Sequence, residues 1–374
     1  MTRNAMTKGE EFSTKRERLN AWLAEHELDG VVLGRSDNFA WLGCGASNVV
    51  NSAQETGVGT LVAERERVRL VASNIEMERL MAEELSGLAV EPTEAFPWHE
   101  PDRRAKLIER LCKGKSLAAD DGSAGLPALP QGFARLRYSL TEAEVDRYRA
   151  LGRDAALALE TAARAVEKGM TESDVAARTA SQCLTKAISP IVLLVAADER
   201  IRNWRHPVVK DAKVERYVMV VICGRRHGLI AALTRLVHFG ELPEDLRRRH
   251  RAVCAVDAAM IRATVPGKAA SAVFSAAQAA YAKSGFRDEW RFHHQGGAIG
   301  YQPREYIATP ECGEVVQAGQ AFAWNPSIRG TKSEDTILVA DDGFELLTAP
   351  SRDWPMVEAE VGGQVLPRAD ILAT

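Results

Sequence analysis

The stretch that most constrains this fold is 216–240, twenty-five residues without a single Asp or Glu. Two apolar runs, 217–223 and 229–239, flank the turn-forming Arg225-Arg226-His227-Gly228. They read as two strands joined at a tight turn. Whatever its register, such a hairpin has no carboxylate to offer a cation.

Helical patterns surround the hairpin. Thr141 is placed to cap a helix, with Glu144 three residues on as its capping-box partner. The alanine-rich pattern continues to Lys168, Gly169 stops it, and Thr171-Glu172-Ser173-Asp174 starts another helix. Residues 244–264 and 270–284 are again helical in pattern, and a glycine- and strand-rich segment closes the chain. Helices before and between antiparallel strand pairs predict an α+β domain. The N-terminal part differs, with a helix at 16–26 and a buried strand at 30–34. A hairpin of 60–63 with 68–71 turns about charged Glu64-Arg65-Glu66-Arg67, and 75–85 is helical. That alternation predicts a small α/β domain. Asp120-Asp121-Gly122-Ser123, Pro127 and Pro130 break regular structure over 113–137, which reads as the domain connection. Two domains are expected, 1–138 and 139–374.

At 374 residues the chain is long enough for two cored domains. A net charge of −3 gives no reason to expect nucleic acid or an acidic membrane as partner. The basic run Arg247-Arg248-Arg249-His250-Arg251 reads as the wet face of a helix. No stretch is long and apolar enough to span a bilayer; the best, 188–197, is short and carries Pro190. The N-terminus is dense in Lys, Arg and Glu, unlike a signal peptide. The six cysteines form no CxxC pair, so a reduced, cytoplasmic protein is the expectation.

Five segments then follow in order along the second domain. They are Lys168-Gly169-Met170-Thr171-Glu172, Ala232-Leu233-Thr234-Arg235, Gly296-Gly297-Ala298-Ile299-Gly300 with Arg304-Glu305, Ser333-Glu334-Asp335-Thr336-Ile337-Leu338-Val339, and Gly343-Phe344-Glu345-Leu346-Leu347-Thr348. The set resembles the creatinase/aminopeptidase P family (peptidase M24). It matches that family's helix corner, its Asp-Ile-Thr-Arg strand end, its Gly-His-Gly-Ile-Gly…His-Glu element, its closing Arg-x-Glu-Asp strand and the tail after it. Ser36-Asp37-Asn38-Phe39-Ala40-Trp41-Leu42-Gly43 resembles a turn in the extra N-terminal domain of the creatinase branch. The resemblance implies an N-terminal α/β creatinase-type domain followed by a C-terminal pita-bread domain. It also implies a homodimer in which 37–41 reaches the neighbouring subunit's pocket.

Peptidases of that family hold two divalent ions with two Asp, one His and two Glu, because carboxylates bridge cations and quench their charge. Carried onto this sequence, those positions fall on Ile222, Ala232, Gly297, Asn325 and Glu334, so only Glu334 remains. The resemblance therefore implies a site without a bridged metal pair and without a cofactor. One further metal reading uses a single ion on His206, one of His293 and His294, and Glu334, with Asn325 as a weak fourth ligand. Adjacency on a strand would turn only one of His293 and His294 toward the cleft.

Creatinase hydrolyses without metal, using a histidine base, and the matching position in Asn203-Trp204-Arg205-His206-Pro207-Val208 is His206. The leading expectation is a metal-independent hydrolase or lyase acting on a C–N bond of a small carboxylate-bearing molecule. His206 would be its general base and Glu334 its acid/base partner. Arg304 is expected on the substrate carboxylate, with His294, Asn325, Gln295, Lys332, Trp324, Tyr301 and Arg235 as the other substrate-binding residues. Two readings stand beside it. One is a non-catalytic pseudo-peptidase that binds a small molecule, peptide or protein in the same cleft. The other is a metallopeptidase of the Xaa-Pro aminopeptidase or dipeptidase type, which the missing carboxylates disfavour.

Overall fold

A computed structural model describes residues 6–374, and the chain divides between Val145 and Asp146 into two compact units. In the first, α1 (Lys8–Glu25) starts at Thr7, which exchanges hydrogen bonds with Glu10 in a capping box. There follow β1 (Gly30–Arg35), α2 (Ser36–Leu42), β2 (Thr56–Glu64), β3 (Val68–Ala72), α3 (Met77–Arg79), β4 (Val90–Pro92), α4 (Asp102–Cys112) and β5 (Leu117–Ala119). They build one mixed sheet in the order β4-β3-β2-β1-β5. Val32, Val62 and Val71 leave that sheet for a core closed by Leu107 and Ile108 of α4.

Two expectations change here. The segment 113–137 is more than a connection, because Leu117, Ala118 and Ala119 are buried and pair in parallel with Gly30, Val31 and Val32. Residues 37–41, expected to reach a neighbouring subunit, are instead buried in α2. Trp41 packs edge-on against Phe133, and its carbonyl accepts from buried Lys15 at 2.7 Å.

The helix α5 (Glu142–Arg164) begins at the capping box anticipated from sequence. The Thr141 backbone and hydroxyl donate to the Glu144 carboxylate at 2.7 and 2.9 Å. The second unit continues through α6 (Glu172–Leu184), β6 (Ser189–Ala197), α7 (Glu199–Asn203), β7 (Tyr217–Arg226), β8 (Leu229–His238), α8 (Glu244–Ala263) and α9 (Ala270–Lys283). Its later strands are β9 (Gly296–Ile299), β10 (Tyr306–Ile307), β11 (Ala321–Trp324), β12 (Ser327–Ile328), β13 (Thr331–Lys332), β14 (Asp335–Ala340), β15 (Gly343–Leu346), β16 (Met356–Val361), β17 (Gln364–Ala369) and β18 (Leu372–Ala373).

The carboxylate-free hairpin is β7 with β8, paired from Tyr217↔His238 to Arg226↔Leu229. Its turn needs left-handed backbone at both His227 (φ 52°) and Gly228 (φ 78°). The hairpin lies inside the sheet β18-β8-β7-β6, and every residue of β8 is buried. A second sheet runs β10-β9-β11-β14-β15. Phe322, Trp324, Ile337 and Val339 share a core with Val253 and Met260 of α8 and Val273 of α9. Strand alternation sends Ala323 and Thr336 to the opposite face. There the Thr336 hydroxyl donates to the Ala232 carbonyl and accepts from the Ala232 N–H, both at 2.9 Å. The Thr234 N–H donates to the Glu334 carbonyl at 3.1 Å, which sets Glu334 against the hairpin. Among the described residues, no helix is long and apolar enough to cross a membrane.

Candidate functional site

Glu334 immediately precedes β14 and is buried. Its Oε2 accepts from the Thr234 hydroxyl at 2.7 Å and lies 2.7 Å from Lys332 Nζ. Its Oε1 lies 3.4 Å from Arg304 Nη2. Burial opposes ionisation, but Lys332 and Arg304 outweigh it and hold the carboxyl below its ordinary range. The Nε of Arg304 is buried and has no hydrogen-bond partner.

Three histidines meet beside this cluster. His206 follows α7; His293 and His294 lie between a 3-10 turn (Glu289–Phe292) and β9. The Nε2 atoms of His206 and His293 are 3.0 Å apart. One nitrogen of each of the three rings lies within 4.8 Å of the other two. The expectation that only one of His293 and His294 faces the cleft fails, because neither belongs to a strand and β9 starts only at Gly296. Arg205 ties the two loops together. Its guanidinium pairs with Glu289 and donates to Ser327 Oγ at 3.0 Å, and that hydroxyl lies 3.1 Å from His293 Nδ1. Burial and the positive charge of Arg304 push His294 down to about 4. Burial and Lys332 likewise lower His293 and His206. Each shift favours the uncharged ring.

Other expected site residues are spent on structure. Arg235 is enclosed and gives four of its five N–H donors to Glu160, Asp335 and the carbonyls of Thr234 and Thr348, so it serves the core rather than a substrate. Gln295 accepts from the Tyr281 hydroxyl at 2.8 Å and donates to the carbonyls of Trp290 and His293, which holds the histidine loop rather than a ligand. Trp324 stacks on Phe322 in the core, and its indole N–H donates to Thr264 at 2.9 Å; it is no pocket wall. Lys332 is committed to Glu334, and His206 is bonded to His293 rather than to Glu334. Tyr301 is buried, its backbone N–H donating to Glu305 at 3.0 Å. Asn325 stays in play, since its Oδ1 is buried and unpartnered. Sequence reasoning missed Ser327, Thr234 and Arg205, for which no pattern of spacing gave a signal. A cavity of about 550 Å³ elsewhere in this unit, lined by residues including Arg200, Tyr217, His238 and Arg329, contains none of these groups.

The positions matched to family metal ligands can now be placed. Ile222 and Ala232 are buried in the hairpin and Gly297 is in β9. A Cβ on Gly297 would lie 2.0 Å from the Tyr306 carbonyl oxygen, so no side chain fits there unless β10 moves. Gly297→His is expected to lose about 1–3 kcal/mol of stability by overpacking, read as a lower urea midpoint. An unchanged midpoint would show that β10 yields freely.

The sequence profile of metallopeptidase family M24 matches residues 146–341. An Xaa-Pro dipeptidase of Lactobacillus delbrueckii subsp. lactis is 25% identical over 231 residues, 59% of this chain and 62% of that protein. The chain thus spans about three fifths of the length of the curated relatives it matches. A prolidase from Pyrococcus horikoshii OT3 superposes with a TM-score of 0.76 at 20% identity, covering 91% of this chain and 99% of that one. An Xaa-Pro dipeptidase from Bacillus anthracis gives 0.75 at 17% identity, covering 97% and 100%. At such identity the structural matches establish a shared fold. Each of these three bears the name of an Xaa-Pro dipeptidase or a prolidase, and the matching family is one of metallopeptidases. They overturn the expectation of a metal-independent, creatinase-like C–N hydrolase with His206 as base.

Proposed function

This chain belongs to metallopeptidase family M24, and from that footing we propose that it is a metal-dependent hydrolase of short peptides of the Xaa-Pro class. The carrying observation is the Arg304–Glu334 cluster beside three imidazoles, in the half of the chain that the family profile covers. Arg304 retains an unpartnered buried Nε, and a substrate carboxylate is the group that would satisfy it. Lys332 and Thr234 hold Glu334 rigid, so its position does not depend on the substrate.

The reading departs from the family in its metal. A bridged pair of ions does not fit the residues present. The hairpin offers no carboxylate, a side chain at Gly297 would strike Tyr306, and Glu334 already carries an ammonium at 2.7 Å. A single ion on imidazole donors fits better. Bound there, it would supply Lewis-acid chemistry for amide hydrolysis.

The test is release of free proline from a panel of Xaa-Pro dipeptides by zinc- or cobalt-loaded protein, with Xaa-Ala dipeptides as controls. Hydrolysis that stops on chelation and returns with metal supports the reading; no hydrolysis of any dipeptide by loaded protein sinks it. Arg304→Met is expected to raise KM roughly 10- to 100-fold, the loss of about 1.5–3 kcal/mol of charge-assisted bonding, with kcat changed less.

A further inference from the structure

We propose that His206, His293 and His294 form a site for one divalent transition-metal ion, separate from the positions that carry metal in the family pattern. The inference rests on the hydrolase reading only for what the ion does; the binding site itself does not need that reading.

The geometry comes first. One nitrogen from each ring lies within 4.8 Å of the others, and two of them are already 3.0 Å apart. Around a tetrahedral ion with Zn–N bonds of about 2.0–2.1 Å, neighbouring donors stand about 3.4 Å apart. Small side-chain rotations bring the three nitrogens to that spacing. Three protein donors would leave a fourth position open, the pattern of catalytic rather than structural zinc sites.

The second observation is an unmet hydrogen bond. His294 Nδ1 is buried with no partner. A buried polar atom left this way is costly, and an ion accepting its lone pair removes the cost. His206 and His293 share one hydrogen bond through Nε2, which an ion bound between them would replace. His293 is also held from behind by Ser327 Oγ at Nδ1, and Arg205 holds Ser327 in turn. A hydrogen bond on the far ring nitrogen is how metal-ligating histidines are oriented.

Charge is the main objection, since Lys332, Arg304 and Arg205 are all close. Lys332 lies on Glu334 and Arg205 on Glu289, so two of the three cations are matched by carboxylates. Arg304 is left as the partly matched one, at 3.4 Å from Glu334. Imidazole donors select the class of ion: zinc, cobalt, nickel or copper rather than magnesium or calcium.

The test uses the full chain, untagged and stripped with chelator, titrated with Co(II) while its visible d–d bands are followed, then displaced by zinc. One tetrahedral-type site per chain is expected. His206→Asn and His294→Asn should each weaken binding by more than about 100-fold, and Ser327→Ala by about 10- to 100-fold as an outer-shell loss. His206 is exposed, so its variant is not expected to disturb packing, and equal melting temperatures confirm that. No Co(II) binding, or binding undiminished in both histidine variants, overturns the proposal. Metal-dependent Xaa-Pro hydrolysis that is undiminished in His294→Asn would overturn the ion's part in hydrolysis while leaving the peptidase reading intact. Metal bound as described without any hydrolysis would uphold the site and sink the peptidase reading instead.

Discussion

Arg235→Met is expected to cost the second unit about 3–5 kcal/mol, the range for breaking a buried ion pair by removing one partner. Arg235 bridges Glu160 and Asp335, each at 3.0 Å, and also donates to two backbone carbonyls. All three charged side chains are almost wholly excluded from water. The loss falls unevenly. Asp335 keeps Arg368 at 2.9 Å and the Thr348 hydroxyl at 2.8 Å, whereas among the described residues Glu160 keeps the Ser351 backbone N–H alone, at 3.1 Å. Glu160 is therefore the orphan, and Glu160→Gln in the Arg235→Met background should recover part of the deficit. Arg235→Lys should rescue poorly, because one ammonium cannot span two carboxylates as the planar fork does. Urea unfolding of the single and double variants reads all three. A deficit below about 1 kcal/mol for Arg235→Met would mean that water reaches this network.

Lys332→Met should cost nearly as much at neutral pH, toward the lower end of about 3–5 kcal/mol because Arg304 remains beside Glu334. The pH dependence is the sharper signature. In the natural protein the Glu334 carboxyl is held below its ordinary range, so its contribution is present above the unfolded carboxylate pKa. It is lost as pH falls through the folded value. Without Lys332, burial prevails, and the folded pKa moves above the unfolded one. The variant then binds a proton on folding, and its deficit is largest near neutrality and shrinks on acidification. Urea midpoints at about pH 7 and about pH 5 should therefore converge. A gap that stays constant would show that Glu334 remains ionised without Lys332.

The two predictions mark where sequence reading ran short. Arg235 matches a family motif and is expected at the substrate, yet it is fully buried and bonded to Glu160, Asp335 and Thr348 instead. Trp324 looked like a pocket wall until strand alternation put it on the helix side with Phe322. Motif order places Glu334, Lys332 and Arg304 together, and the three are in contact. Only the contacts show that Lys332 is paired with Glu334 while Arg304 Nε has no partner.

The sequence by itself determined the parts governed by local pattern. These are the carboxylate-free hairpin, the capping box at Thr141 and Glu144, the left-handed turn at His227-Gly228, and the ordered motifs of an M24 chain. Each depends on residues a few positions apart, whose preferences act wherever the segment lies. Only the tertiary structure decided which polar groups are already satisfied and which still need a partner. His206 and His293 are 87 residues apart in sequence, and Arg235 and Asp335 are 100 apart. Such pairs leave no periodic trace, because their meeting depends on two loops and two sheets being packed at once. That packing turned a supposed binding arginine into structure and gathered three separate histidines around one point.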